Sequence, residues 1–436
     1  MIAFKPMLRL LVTALLGVSP AFAQLGTVFD QVFEEILVNR LQLSPGQHGD
    51  HFREAAFVAN SQLTPSLNTA ITNNVSSFPN SNTSIGVTFS FESGAPEKIR
   101  RAIGPVFGES ATTLGKKRLN LGMNTSRLTM DRFRGLDTRD LTFTFTHVDV
   151  TNDGTLGENP SESDTIDVAL GMDVDATILA FYASYGLTDR LDISVSAPYI
   201  DISLDGTAVA RVDSFTLAAV GMANHHFGDD PTRPILESQV PYSESAAGLG
   251  DVSVRAKYNA FNADRFQLGF FFDYRFDNGD ESDFLGTGSN EFRVAQVLSG
   301  GDDNYQYLIN LAFEKRPGDL DSDEIELLLG FNYEVGNGFA WAVELMGDYD
   351  LNDLEAINLL NDSVEIVDRS GDALNPRQVR LSNIPDRSDD HTLNASLGLR
   401  WAPTDKLILL GNLLIPLNDA GLRSNVVATA GFGYNF

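Results

Sequence analysis

The 436-residue chain contains no cysteine. A disulfide framework is therefore excluded, and hydrogen bonding and packing must hold the fold together. Long hydrophobic runs are also missing beyond the first 24 residues. Nothing later approaches ~20 uninterrupted apolar residues, which excludes a helical membrane protein. Cations are scarce: Lys and Arg total 31 against 59 Asp and Glu, for a formal charge of −28. Nucleic-acid binding needs clustered cations and is excluded with them. There is no G-x-S-x-G elbow and no thiol nucleophile, so the chain reads as a non-enzyme without a cofactor.

What is present begins with "MIAFKPMLRLLVTALLGVSPAFAQ". Lys5 and Arg9 precede the apolar run Leu10–Val18, and small residues follow at Ala21 and Ala23. This predicts a signal peptide over residues 1–23, cleaved after Ala23. Aromatics are plentiful, with 29 Phe and 11 Tyr, yet the mean hydropathy is only −0.09. Apolar residues must therefore be dispersed in a regular pattern.

That pattern has period two. In "VSVRAKYNA", Val252, Val254, Ala256, Tyr258 and Ala260 share one face, and Ser253, Arg255, Lys257 and Asn259 share the other. "FQLGFFFDYRF" (266–276), "YQYLINLAFE" (305–314) and "EIELLLGFNYE" (324–334) repeat the arrangement. Such alternation over about ten residues means a strand with one apolar and one polar face. A soluble sandwich or barrel would give the same alternation with its apolar face inward. Three details favour lipid outside: strands of about 10–15 residues, aromatic ends such as Tyr258, Tyr333, Trp341, Tyr349 and Trp401, and full charges on the opposite face.

Strands are expected near 84–92, 116–130, 139–150, 172–186, 190–205, 250–260, 265–276, 289–298, 304–315, 322–335, 339–351, 390–401, 405–415 and 423–436. The fold class is thus an all-β, transmembrane, antiparallel up-and-down barrel of about fourteen strands, within a range of twelve to sixteen. Short connections such as "GLTDR", "FNAD", "GNG" and "APTD" alternate with long ones, as periplasmic turns alternate with outer loops. The barrel is expected over 84–436. Residues 24–83 precede it, with Val28, Phe29, Val32, Phe33, Ile36 and Leu37 at helical spacing. This segment either plugs the lumen or forms a periplasmic extension.

At "YGLTDRLDISVSAPY" (Tyr185–Tyr199) and "GLGDVSVRAKYNAF" (Gly248–Phe261) the chain resembles a known group. It is the family described as "putative MetA-pathway of phenol degradation", similar to outer-membrane barrels of the long-chain fatty-acid transporter type. "NLGMNTSRLTMDRFRG" (Asn120–Gly135) fits more loosely. The resemblance implies a Gram-negative outer-membrane barrel and uptake of aromatic or other hydrophobic compounds. It carries over no ligand motif. It also implies that the terminal "GFGYNF", with Phe432, Tyr434 and Phe436 on one face, is the signal read by the barrel assembly machinery. From the residues alone, the two phrases are turns: Asp189 and Arg190 make a tight polar turn, and Gly248 and Gly250 let the chain bend.

The polar faces supply the candidate lumen residues Arg255, Lys257, Asp273, Arg275, Glu324, Glu326, Glu344, Asp348 and Arg400. They would set ion selectivity in an open pore or pair across a closed one. Phe271, Leu328, Met346, Ile408, Leu410 and Leu414 are apolar intruders on the same faces. They suit either a pocket for a hydrophobic solute or packing against a plug. His147 and His391 carry no supporting motif. His48 with His51 and His225 with His226 lack a well-spaced third ligand, so no metal is assigned. The acidic stretches Asp277–Asp283 and Asp319–Glu326 lack calcium-loop spacing and read as solvated loops facing lipopolysaccharide. The expected function is passive admission of a small hydrophobic solute through an outer membrane. The alternative is a non-transporting barrel with a structural or surface-interaction role.

Overall fold

The computed structural model describes residues 24–43, 52–76, 78, 89–90, 97–98, 103–263, 265–302, 304–316, 322–351, 363–370, 373–385 and 390–436. The expected signal peptide lies outside them, as do His48 and His51. Alternating side chains build one large antiparallel sheet, whose main strands are β1 (Leu119–Phe133), β2 (Leu141–Thr146), β3 (Thr165–Gly186), β4 (Leu191–Asp213) and β5 (Glu237–Leu249). They continue as β6 (Ser253–Ala263), β7 (Phe266–Arg275), β8 (Glu291–Gly301), β9 (Tyr305–Lys315) and β10 (Glu324–Gly336). The last are β11 (Phe339–Asp350), β12 (Thr392–Trp401), β13 (Leu407–Pro416) and β14 (Val427–Asn435).

Twelve of these close into a ring: β1, β3, β4 and β6 to β14, with β14 paired to β1 through Tyr434↔Leu121 and Phe432↔Met123. Closure leaves no open edge within the wall, which a barrel in lipid requires. The wall thus has twelve strands, the low end of the expected range. The difference from fourteen has two sources. The strand expected at 139–150 is β2, which pairs β3 above the ring, bridges to Ser382 through Phe143, and does not join the ring. Of the one expected at 84–92, only Phe89–Ser90 falls among the described residues. It pairs Glu97–Lys98 in a separate ladder. The wall therefore starts at Leu119, not at residue 84.

Outward residues form an apolar belt. Phe270, Phe272, Leu311, Leu329, Val343, Leu345, Leu397 and Leu413 are all exposed large hydrophobics. Burying them in hydrocarbon rather than water is favourable by about 25 cal/mol per Å². The molecule is therefore a transmembrane type of barrel. Short turns such as Gly186–Arg190 and Gly336–Gly338 lie at one end, and long connections lie at the other.

At the long-loop end β3 and β4 run on for 22 and 23 residues. The segment 206–249, expected as a loop, instead holds the end of β4, helix Phe215–Val220 and β5. Its alternation continues, but its outward residues are polar because this part stands above the lipid. Strands β2, β3, β4 and β5 make a raised sheet. The N-terminal helices pack against its inner face: α1 (Val28–Glu34) with its continuation Glu35–Arg40, α2 (Arg53–Val58) and α3 (Thr64–Val75). Phe33 meets Phe143 and Phe145 edge-on at 6.5 and 5.8 Å. Leu67, Ile71 and Val75 form the buried stripe of the third helix, continued by Leu63 just before it.

Candidate lumen site

The space inside the ring is divided in two. The half near the short turns is filled by residues 104–116, the stretch just before β1. They enter beside Arg400, whose Nη1 donates to the Pro105 carbonyl at 3.0 Å. At mid-lumen the backbone N–H groups of Val106, Phe107 and Gly108 converge on the Glu344 carboxylate, at 2.7, 2.8 and 3.4 Å. The next residue exchanges hydrogen bonds with one side chain. Glu109 N donates to Asn310 Oδ1 at 2.6 Å, and Asn310 Nδ2 donates to the Glu109 carbonyl at 2.9 Å.

The Glu109 carboxylate takes Arg255 at 2.7 Å and Lys257 at 3.2 Å. The segment then turns back. Ala111 N donates to Ser299 Oγ, Leu114 N to Asp192 Oδ2, and Thr113 Oγ1 to the Asp189 carbonyl. Asp189, quoted above as part of a turn, thus also anchors the returning chain. Glycine allows close approach at two points: a Cβ at Gly104 would stand 1.9 Å from Arg400 Nη1, and one at Gly108 2.5 Å from Leu308 Cδ1.

This packing is polar because an extended segment cannot satisfy its own backbone. Each buried N–H or carbonyl left unpaired would cost free energy comparable to a lost hydrogen bond. The wall side chains Glu344, Asn310, Ser299, Asp192 and Arg400 replace water as partners.

Above the segment lies a cavity of about 290 Å³. Its floor includes Phe107 and Glu109, and its roof includes Thr69, Ala70, Asn73, Asn74 and Phe78. Phe78 and Phe107 touch edge-on at 6.3 Å. One wall is charged, carried by β6 to β11. Arg255 pairs with Asp273 at 2.6 Å, Arg275 with Glu291 at 2.5 Å, and Arg316 with Glu324 at 2.5 Å. Arg293 pairs with Glu326. Phe271 lies beneath two guanidinium groups, 4.3 Å from Arg255 and 5.4 Å from Arg293. Such contacts let a ring sit in a charged row without isolating either partner. The rest of the wall carries an apolar patch of Leu128, Phe133, Met346, Leu414, Leu422 and Val427, bordered by Asp390, Thr392, Asn394, Arg423 and Ser424.

The candidate residues therefore fall into three places. Glu344, Arg400 and Lys257 hold the folded-in segment, with Arg255 on its border. Asp273, Arg275, Glu324, Glu326, Asp348, Met346 and Phe271 line the cavity. Ile408 packs against Tyr182, and Leu410 against Val106. Phe432, Tyr434 and Phe436 lie outward on the last strand and its end, with Tyr434 and Phe436 4.8 Å apart. Sequence reasoning missed Glu109, Asp192, Ser299 and Asn310. The available signal was the "IGPVFGESATTLG" stretch itself, which lacks alternation and ends directly at a strand.

Asp251 was also missed as a functional group. It follows the Gly248–Gly250 bend, where the pairing of β4 passes from β5 to β6. Its carboxylate accepts from Asn278 N, Gly279 N and Thr287 N at 3.0, 2.7 and 2.8 Å, tying down the outer loop. On the raised sheet, Asp164 accepts from His225 Nδ1 at 2.7 Å and from Thr216 N. Among the described residues no group of three His, Asp or Glu side chains is placed to hold a metal.

Comparison with solved structures gives similarity to several outer-membrane proteins. The COG4313 outer membrane channel from Pseudomonas putida F1 is 13% identical with a TM-score of 0.39, covering 77% of this chain and 100% of that one. A Pseudomonas aeruginosa FadL homologue is 9% identical with a TM-score of 0.30, covering 74% and 90%. The Ralstonia pickettii toluene transporter TbuX is 10% identical with a TM-score of 0.26, covering 74% and 90%. Curated protein sequences give no significant match. Residues 157–356 match the family model described as "Putative MetA-pathway of phenol degradation", so across both quoted phrases the chain resembles that family.

Proposed function

We propose that the chain is a Gram-negative outer-membrane channel for the passive uptake of small hydrophobic solutes, aromatic ones among them. The observation that carries this reading is the cavity. It holds an apolar patch opposite a charged wall, lies toward the long loops, and is closed below by a segment held through hydrogen bonds that can be exchanged for water. Ligand sites combine apolar surface with placed polar groups; here an apolar patch around Leu128, Phe133 and Leu414 stands beside a charged wall. The long loops would face outward and the short turns the periplasm.

On this reading residues 1–23 direct export and are removed, and the helices between Val28 and Val75 sit over the mouth. The apolar ending at Phe432, Tyr434 and Phe436 presents the chain to the barrel assembly machinery. Solute would enter from the long-loop end, rest against Leu128, Phe133 and Leu414, and leave when the segment yields. The descriptions of the matching family and of the toluene transporter support an aromatic solute. A structural, non-transporting role draws support from how fully residues 104–116 fill the inner lumen.

Uptake of labelled toluene and of a labelled fatty acid by deletion and complemented cells separates the two. Faster uptake in complemented cells is expected, and equal rates favour the structural role. Heat-modifiable gel migration and recovery in the outer-membrane fraction are expected for the barrel. A soluble periplasmic pool would overturn that placement.

A further inference from the structure

The apolar belt is uneven around the ring. On β7 the outward residues Phe266, Leu268, Phe270, Phe272, Tyr274 and Phe276 are apolar without interruption. On β14 and its flanks the same holds for Val426, Ala428, Ala430, Phe432, Tyr434 and Phe436. Ten residue steps at ~3.3 Å with the usual strand tilt give ~25 Å, the height of an outer-membrane apolar band.

On β1, paired directly to β14, the outward series is Leu119, Leu121 and Met123, followed by Thr125, Arg127, Thr129 and Asp131. Four apolar steps cover only ~10 Å. On β3 the apolar run is Tyr185 to Leu179, or ~15 Å, and on β4 it is Leu191 to Tyr199, or ~20 Å. Thr125, Arg127 and Thr129 are exposed on the outer face, not turned into the lumen. Arg127 pairs with Ala428 of β14 on one side and Thr177 of β3 on the other. Its Nη2 lies 4.0 Å from Asp175 Oδ1, which also accepts from Thr129 Oγ1 at 2.6 Å.

We infer that this sector binds lipid headgroups part-way down the wall, so that the outer leaflet is thin along the seam between first and last strands. An arginine, an aspartate and three threonines facing hydrocarbon would be costly. A bilayer meeting a short apolar wall thins locally at modest cost. The charges favour headgroups as the occupant. Arg127 matches lipid phosphate, while Asp173, Asp175 and Asp201 on the adjoining strands suit a polar, cation-bearing surface. The grading from β1 through β3 to β4 also matches a bilayer that recovers its thickness with distance.

The chain has no cysteine, so single nitroxide labels can be placed cleanly. Thr125→Cys and Phe272→Cys each stand six residues above the short-turn end of their strand's belt. In the full chain reconstituted in phosphatidylcholine nanodiscs, collision with a water-soluble nickel chelate should be several-fold higher for the label at 125. Collision with oxygen should be several-fold higher at 272. Equal oxygen-rich profiles would overturn the inference. Shielding of the label at 125 from both colliders would also overturn it, since that marks contact with a second copy of the chain. In a Thr125→Leu, Arg127→Leu, Thr129→Leu background, a label at Thr177 should shift toward oxygen. If that background does not fold, the two single-label profiles still decide the matter.

Discussion

The inner and outer halves of the lumen are closed by different means. The inner half is filled by backbone, whose N–H and carbonyl groups are held by a few wall side chains led by Glu344 and Asn310. In the outer half, side chains pair with one another along neighbouring strands, as Arg275 does with Glu291, and leave a cavity between them. A segment held by a few points can be released by losing one or two of them. A lattice of wall-to-wall ion pairs shares its load and yields little to any single change. The inner half is therefore suited to being a closure, and the outer half to being a fixed container.

The largest effect should come from removing the closure. Replacing residues 104–114 by a short Gly-Ser linker should turn a nearly silent channel into a continuously open one in single-channel recordings, while heat-modifiability of the barrel persists. Conductance unchanged from the parent would show that the outer half is the true barrier.

Next is Glu344→Gln. The amide keeps the shape but puts a donor where three N–H groups converge, and it removes a charged acceptor. Hydrogen bonds to charged groups contribute about 1.5–3 kcal/mol, so docking of the segment should weaken by about that much. Frequent brief openings are expected. Glu109→Gln should act in the same direction more weakly, because Arg255 retains Asp273.

On the container side, Phe133→Ala should lower solute uptake without raising ion conductance. A change in both would mean that the halves are coupled.

The smallest effect concerns an outer loop beyond both halves. Asp153 is held down to about 2 by hydrogen bonds from Thr155. A depressed carboxylate stabilises the fold above its ordinary value near 3.8 and loses that contribution as pH falls through about 2. Amide exchange at residues 152–155 should therefore accelerate only between these pH values, with no change in the barrel.

Much of the wall was legible because side-chain direction in a strand is written at period two. Phe270 and Phe272 against Phe271 and Asp273 already assign two faces, and lipid outside follows from which face is apolar. The strand count was less legible, because β2 alternates like a wall strand. Only its partners reveal that it stands above the ring. Residues 104–116 were not legible as a closure. An extended segment bonded to wall side chains has no period of its own, and its partners lie up to 295 residues away. Glu109 looks like any surface acid until Arg255 and Lys257 are brought to it.

One feature bears on how the molecule is made. Ser76 donates to the Phe284 carbonyl at the long-loop end, whereas Pro105 meets Arg400 at the opposite end. Residues 104–116, which precede every wall strand in the sequence, thus lie inside the ring that later residues form. A ring sealed first would have to admit this segment afterwards. Sealing around a chain already in place requires only that β14 find β1 last. The order of synthesis, with the closing strand emerging at the end, permits that sequence of events.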